Sequence, residues 1–89
     1  MIRKHLVFYG SVQGVGFRWR ARMAAQQFSC TGWVRNEWDG SVSMEIQGTE
    51  EAIDSVIGSI NRGTYVQIGN IDVESIPTVD GEVGFLVTF

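Results

Sequence analysis

A glycine-rich stretch that ends in an arginine holds the residues best suited to chemistry. It has the sequence GSVQGVGFR over residues 10–18, between a β-branched and aromatic run and a run with helical spacing. Glycines let successive main-chain N–H groups turn toward one point, and the first turn of a helix adds unpaired amides and a positive dipole end. Arg18 adds a planar guanidinium that can contact a phosphate through two donors. The stretch therefore predicts a site for a tetrahedral oxyanion.

Two widespread phosphate-binding motifs do not fit this stretch. A Walker loop needs Lys and then Ser or Thr after its last glycine, whereas Gly16 is followed by Phe17 and Arg18. The dinucleotide-binding pattern fails because no third glycine completes Gly14-x-Gly16 at the required spacing. By its own chemistry the loop is equally compatible with a tight structural turn between a strand and a helix. Residue types alone leave both interpretations open.

Hydrophobic periodicity and turn residues divide the chain into seven elements around this loop. Their order is β-α-β-β-α-β followed by a terminal strand, which is typical of the ferredoxin-like split βαβ arrangement. We therefore predict an α+β sandwich with two helices on one face of a four- to five-stranded, mainly antiparallel sheet, in a single domain over residues 1–89. The predicted strands are residues 4–9, 32–38, 41–47, 66–76 and 83–89, and the predicted helices are residues 17–28 and a segment from Thr49 to near Gly63.

Local signals make further predictions about these elements. Asp39-Gly40 predicts a two-residue hairpin loop with positive backbone dihedrals between the second and third strands. Apolar and polar residues alternate over residues 41–47, which predicts one buried and one wet face. Thr49 offers an N-cap oxygen to the second helix, and Gly69 indicates a bend or bulge in the following strand.

Two signatures make the sequence similar to the acylphosphatase family. The first is glycine, any residue, Val-Gln-Gly-Val, any residue, aromatic and Arg, at residues 10–18. The second is Gly-Trp-Val-Arg-Asn at residues 32–36, followed by Gly-Ser-Val at residues 40–42 and by Gly48. Two spaced motifs are far more specific than one glycine pattern. The resemblance implies metal-independent hydrolysis of the carboxyl-phosphate bond of small acyl phosphates, giving a carboxylate and inorganic phosphate.

The resemblance also implies which residues do this. Arg18 is expected to bind the phosphoryl group and Asn36 to orient the attacking water. Asn36 does not titrate, so an oxygen of the substrate's own phosphate is the candidate proton acceptor, and a carboxylate leaving group needs little general acid catalysis. Arg35 should point to the opposite face of its strand and has no assigned role. The main-chain amides expected to cradle the phosphate belong to Ser11, Val12, Gln13, Gly14, Val15, Gly16 and Phe17.

Three positions depart from the usual family pattern. Phe8 stands where an aliphatic residue is common, and Ser29 and Cys30 stand where glycine and leucine are expected before the second signature. These departures affect packing and the end of the first helix rather than the reaction.

Composition and charge limit the partners. Seven basic against ten acidic side chains give a net charge of −3, which disfavours nucleic acid and anionic membranes. The opening apolar run is too short for a membrane span. A single cysteine and a single histidine supply neither a disulfide nor a zinc site, so we expect no metal and no cofactor. We predict a cytoplasmic monomer whose partners are a small acyl phosphate and inorganic phosphate, as product or inhibitor.

Several other residues invite functional interpretations that the sequence does not favour. Cys30 is separated from Arg35 by four residues instead of the five of cysteine phosphatases, so we expect an inert thiol. His5 is expected to be a surface or packing residue. The three tryptophans could form a base-stacking platform of an RNA-binding domain, which the negative charge and the missing basic-aromatic pattern disfavour. The tryptophans are Trp19, Trp33 and Trp38.

One alternative from a different class stays open beside the enzyme. An acylphosphatase-like domain could keep the anion cradle and serve as a binding or regulatory module within a larger protein. The length of the chain and the presence of both Arg18 and Asn36 favour the enzyme.

Overall fold

A computed structural model describes residues 1–63 and 65–88. In those residues five strands form one sheet in the order β4-β1-β3-β2-β5, and two helices cover one of its faces. Neighbouring strands are antiparallel except β2 and β5, which are parallel. The predicted α+β arrangement is therefore confirmed. The elements are β1 (Ile2–Ser11), α1 (Phe17–Gln27), β2 (Thr31–Asn36), β3 (Val42–Gly48), α2 (Glu50–Asn61), β4 (Gln67–Ile76) and β5 (Phe85–Thr88).

The core lies between the helices and the sheet. Strand register brings Leu6 opposite Met44 and Phe8 opposite Val42, so alternate residues of β1 and β3 form one apolar face. All four side chains are completely buried, and the ring of Phe8 meets that of Phe17 edge to face. The helices contribute Phe17, Ala21, Ala24, Ala25, Ile53, Val56 and Ile60 to the same core.

Helix α2 begins as the sequence predicts. The Thr49 Oγ1 accepts a hydrogen bond from the Ala52 N–H at 3.1 Å, and Glu50 and Glu51 complement the helix dipole in the first turn. The bulge predicted in β4 is also confirmed: Tyr9 faces Asn70 and Gly10 faces Ile68, which leaves Gly69 as the extra residue.

Helix α1 ends in a Schellman motif built around a serine. The Cys30 N–H bonds the Ala25 carbonyl at 2.8 Å, and the Ser29 N–H bonds the Gln26 carbonyl at 3.3 Å. Ser29 has a φ of 58°, in the left-handed region that glycine usually occupies at this position. The departure from the family pattern at Ser29 therefore places an L-residue in a backbone conformation that suits glycine.

The β2–β3 hairpin differs from the prediction of a two-residue Asp39-Gly40 loop. The Gly40 N–H donates to the Glu37 carbonyl, and the Glu37 N–H donates to the Ser41 carbonyl. The loop therefore contains residues 38–40, a turn followed by one left-handed residue, Gly40 with φ 93°, while Asp39 has no positive φ. Asp39 instead accepts from the Ser41 N–H and hydroxyl, which stabilises the longer loop.

The prediction that one face of residues 41–47 would be wet is wrong. Ser41, Ser43 and Gln47 are each no more than 5% exposed. Residues 77–84 follow β4 and lie against this face: the Gln47 amide donates to the Val79 carbonyl at 3.0 Å and accepts from the Val79 N–H at 2.8 Å. Polarity predicted exposure here, but paired hydrogen bonds allow these polar groups to be buried.

The segment formed by residues 77–84 leads into the last strand. Arg3, only 3% exposed, donates to both carboxylate oxygens of Glu82 at 2.7 and 3.1 Å and also to Glu45. These hydrogen bonds hold residues 77–84 against the sheet face opposite the helices. The chain then continues into β5, which pairs with β2. The predicted strand at residues 83–89 is confirmed over Phe85–Thr88, and Phe89 lies outside the described residues.

Candidate active site

The N-terminal end of α1, the loop before it and the ends of β2 and β5 surround an open pocket of about 460 Å³. Arg18 enters from the first turn of the helix. Asn36, the last residue of β2, shares the face of Val34 and faces Val42 in the register, so it lies on the helix-covered side. The structure therefore brings these two residues to one pocket. The lining residues are Val12, Gly14, Gly16, Phe17, Arg18, Trp19, Arg22, Asn36 and Val87.

Two glycines shape the loop through their backbone conformation. Gly14 has a φ of 72° and Gly16 a φ of 79°, both in the left-handed region. A Cβ built on either residue would meet no heavy atom within 4 Å. Glycine is therefore favoured at both positions by the backbone conformation, since a side chain would have room there. The open space beside the loop is available to a ligand that contacts its main-chain amides.

Helix α1 starts without the capping that α2 has. Gly16 is its N-cap, provides no side-chain hydrogen bond, and no acidic residue stands in the first turn. The first four N–H groups of a helix have no partner within the helix, and they attract anions through hydrogen bonding and the helix dipole. In α2 a threonine and two glutamates fill that role. In α1 a bound anion can fill it.

The guanidinium of Arg18 lies at the boundary between the loop and the last strand. It is half-buried, and its Nη1 donates to the Thr88 carbonyl at 3.5 Å. This contact comes from β5, so the strand that follows residues 77–84 helps to orient the side chain. Val87, the neighbour of Thr88, lines the same pocket.

Gln13 joins the loop to the hairpin that carries Asn36. Its Nε2 donates to the main-chain carbonyls of Glu37 at 2.7 Å and Ser41 at 2.9 Å. These carbonyls face each other across the base of the hairpin loop, one residue beyond Asn36. The Gln13 side chain therefore fixes the distance between the anion-binding loop and Asn36.

The predicted site residues do not all line the pocket. Ser11 is the last residue of β1 and pairs with Gln67, Gln13 is directed to the hairpin, and Val15 packs against the core. Their proposed role through main-chain amides stays a prediction. Sequence reasoning missed three lining residues, namely Trp19, Arg22 and Val87. Arg22 could have been found from its spacing, four residues after Arg18 on one helix face, whereas Val87 depends on the position of β5.

The charged side chains that line the pocket are basic, although the chain as a whole is acidic. Helix α1 carries three arginines and no acidic residue, and two of them, Arg18 and Arg22, line the pocket. The described lining residues include no Asp, Glu, His, Cys or Tyr. Glu37 follows Asn36, but hydrogen bonds from Ser43 and Arg35 on the other side of the sheet lower its pKa.

The remaining candidate residues lie elsewhere. Cys30 is buried, and burial raises the pKa of its thiol, as expected for an inert cysteine. His5 lies on the sheet face opposite the helices, with its Nδ1 3.0 Å from Glu45. The tryptophans are dispersed: Trp33 lies on that same face under Arg35, Trp38 at the hairpin tip and Trp19 at the pocket. In residues 1–63 and 65–88 no three His, Cys, Asp or Glu side chains are grouped to hold a metal ion.

Comparison with solved structures identifies the class of protein. The crystal structure of acylphosphatase from Bacillus subtilis matches all of this chain and all of its own with a TM-score of 0.91 and 30% identity. The T. kodakarensis HypF structure matches all of this chain with a TM-score of 0.84 and 26% identity, but over only 12% of its own length. The fold is thus the ferredoxin-like fold of acylphosphatases, which also occurs as part of a longer protein.

Comparison of sequences identifies the family. The acylphosphatase family model matches residues 4–87. An acylphosphatase from Clostridium beijerinckii is 37% identical over 90 aligned residues, covering 100% of both chains. The chain belongs to the acylphosphatase family. In the part of the chain that the structure describes, no helix has the length and apolar character needed to cross a membrane.

Proposed function

We propose that this protein is an acylphosphatase that hydrolyses the carboxyl-phosphate bond of small acyl phosphates, with Arg18 and the loop amides binding the phosphate and Asn36 positioning the water. The main support is that Arg18 and Asn36, 18 positions apart in the sequence, line one pocket at an uncapped helix N-terminus. An arginine, free amides and a neutral amide side chain together suit a phosphoryl group beside a water molecule.

Phosphoryl transfer places negative charge on the three equatorial oxygens of the transition state. Arg18 and the amides of the loop, including those of Gly14 and Gly16, are the donors available to them. Because these donors belong to a helix end and a short loop fixed by β1, they need little reorganisation when charge develops. The substrate-binding role that we propose for the amides of Ser11 to Phe17 rests on this geometry.

Asn36 can hold the water but cannot take its proton. We propose that a phosphate oxygen of the substrate accepts it, since the described lining residues include no titratable base near neutrality. The carboxylate leaving group departs without protonation, so no general acid is needed. A kcat that changes with a pKa near 7 belonging to the protein would contradict this part of the proposal.

The remaining features of the proposal concern the setting of the reaction. We propose a cytoplasmic, monomeric protein in which the 89 residues act as one domain. The reaction is metal-independent and is inhibited competitively by inorganic phosphate, because that product has the same tetrahedral form as the transferred group. Turnover that stops in a chelator and returns with a divalent metal would contradict metal independence.

The test is hydrolysis of benzoyl phosphate, followed by ultraviolet absorbance with chelator present. Arg18→Gln should lower kcat/KM by about 10³ or more, since arginine contributions to phosphoryl transfer are of that size. Asn36→Ala should lower kcat by about 10² or more. Arg20→Gln is the matched control, because Arg20 lies on α1 and donates to the Ser59 carbonyl of α2. Asn61→Ala, at the exposed end of α2, is the control for the asparagine.

The same assay distinguishes the enzyme from a binding module. The likeness to part of the HypF structure favours the module as the second candidate. A module would bind phosphate with loss of affinity in Arg18→Gln, yet would hydrolyse no acyl phosphate. Native circular dichroism with full activity in either Arg18→Gln or Asn36→Ala would contradict the role assigned to that residue.

A further inference from the structure

A second arginine lines the pocket one helical turn beyond Arg18. Arg22 lies four residues further along α1, on the same face and about 6 Å along the helix axis at 1.5 Å per residue. Trp19 is three residues before Arg22, so the three side chains form one continuous patch on the helix. The pocket thus extends from the anion-binding loop toward a second guanidinium.

Nothing in the described part of the chain neutralises Arg22. It is exposed, and within residues 1–63 and 65–88 it has no hydrogen-bond or ion-pair partner. Arg20, on the same helix, instead donates to the Ser59 carbonyl.

The surface beside Arg22 is apolar. Trp19 is 65% exposed although it is a large aromatic residue, and Val87 of β5 lines the same pocket. An acyl chain that leaves the phosphate at the loop would contact such a surface, and its far end would lie near Arg22. The apolar residues therefore suit a short carbon chain and the guanidinium suits an anion at the end of that chain.

We propose that Arg22 is a specificity-determining residue that selects acyl phosphates with a terminal carboxylate on a short acyl chain, while Trp19 packs against the chain. The inference rests on the proposed function, because it assumes that the phosphoryl group occupies the loop. Arg18 and Arg22 are one helical turn apart on the same face of α1, and the two charged ends of a short monoacyl phosphate of a dicarboxylic acid are likewise separated by only a few carbon atoms.

The first test compares two substrates that differ only in the terminal group, succinyl phosphate and its terminal carboxamide. Arg22→Gln should raise KM for the carboxylate substrate by about three- to tenfold, the range of an ion pair that is partly exposed. The loss should be smaller for the carboxamide, so that the ratio of kcat/KM between the carboxylate and the carboxamide substrate falls by about three- to tenfold. Arg22→Lys should restore part of the loss by keeping the charge. Arg20→Gln, which removes the same charge from the same helix, should leave the ratio between the substrates unchanged.

Three results would overturn the inference. An equal loss for both substrates would mean that Arg22 acts on the phosphoryl group. No loss of activity with either substrate would mean that Arg22 is a solvated charge without a role in substrate selection. An equal loss in Arg20→Gln would mean that the effect comes from the overall positive charge of α1 and not from Arg22.

The second test separates this inference from the proposed function. Acyl phosphonates, which cannot be hydrolysed at the phosphorus-carbon bond, are titrated by calorimetry in carboxylate and carboxamide forms. The wild-type protein should bind the carboxylate form about three- to tenfold more tightly, and Arg22→Gln should remove that preference. Absence of turnover with this preference intact would reject the enzyme and keep the role of Arg22. Turnover without a preference for the carboxylate form would support the enzyme and reject the role of Arg22.

Discussion

Gln13 makes the contact between the two halves of the site, and its removal tests whether that contact positions Asn36. The two hydrogen bonds from its Nε2, at 2.7 and 2.9 Å, end on carbonyls at the base of the β2–β3 hairpin. Gln13→Met keeps the length of the side chain and removes both bonds. Neutral hydrogen bonds contribute about 0.5–1.5 kcal/mol each, so the free energy of unfolding should fall by about 1–3 kcal/mol. The melting temperature should fall by about 4–8 °C for each kcal/mol.

The kinetic effect depends on how far Asn36 moves. A misplacement of about 1 Å can cost about 10² in rate. The hairpin is still held by strand pairing at Asn36 and by the main-chain bond between Glu37 and Ser41. The expected displacement is therefore partial, and kcat for benzoyl phosphate should fall by about tenfold. The inhibition constant of inorganic phosphate should stay the same, because Gln13 donates its side-chain hydrogens to the hairpin.

Gln13→Glu and Gln27→Met complete the experiment. A carboxylate in place of the amide would face two carbonyl oxygens without a donor, so Gln13→Glu should be worse than Gln13→Met. Gln27 is exposed at the end of α1, and its change to Met should leave kcat unchanged. The reasoning is refuted if Gln13→Met keeps the wild-type kcat while its melting temperature falls. It is equally refuted if phosphate inhibition weakens by the same factor as kcat, because Gln13 would then act on the anion.

Two further predictions concern stability. Ser29→Gly should raise the free energy of unfolding, measured by thermal unfolding, by about 0.5–1 kcal/mol, because glycine relieves the left-handed strain at a partial cost in chain entropy. The control Ser55→Gly, within α2, should lower the free energy of unfolding. If Ser29→Gly brought no gain, the backbone at Ser29 would not be strained. Arg3 holds the pKa of Glu82 below its ordinary value of 4.5, so the contribution of Glu82 is present above pH 4.5 and is lost as pH falls through the folded-state value. In urea titrations Glu82→Gln should therefore reduce stability more at pH 7 than at pH 3, whereas the exposed Glu74→Gln should change little, and an equal loss at both pH values would contradict the ion pair.

Two predictions from local sequence patterns, the exposed face of residues 41–47 and the two-residue hairpin loop, differ from the structure. Residues 41–47 alternate cleanly, but Ser41, Ser43 and Gln47 are nevertheless buried, and the Gln47 side chain bonds to Val79 in the segment 77–84. A sequence pattern records the polarity of a side chain but not whether a distant segment will satisfy its hydrogen bonds. The Asp39-Gly40 pair indicated a hairpin correctly, but the side chain of Asp39 bonding to Ser41 favoured a three-residue loop.

Much of this protein follows from its sequence because the signals are local. The order of helices and strands, the Thr49 cap, the extra residue at Gly69 and the loop before Arg18 depend on backbone preferences and neighbouring side chains. The resemblance to one family rests on two motifs, and Arg18 and Asn36 are part of those motifs.

Only the tertiary structure decided which of these parts meet. The parallel pairing of β5 with β2 brings Val87 and the Thr88 carbonyl to the pocket, and it depends on a segment fastened by Arg3, some 80 residues earlier in the chain. The bonds of Gln13 to the hairpin likewise join residues more than 20 positions apart. Such contacts form only when folding brings distant segments together, and no single segment shows which partner it will meet. The sequence therefore identifies the reactive residues, whereas the contacts that position them are seen only in the tertiary structure.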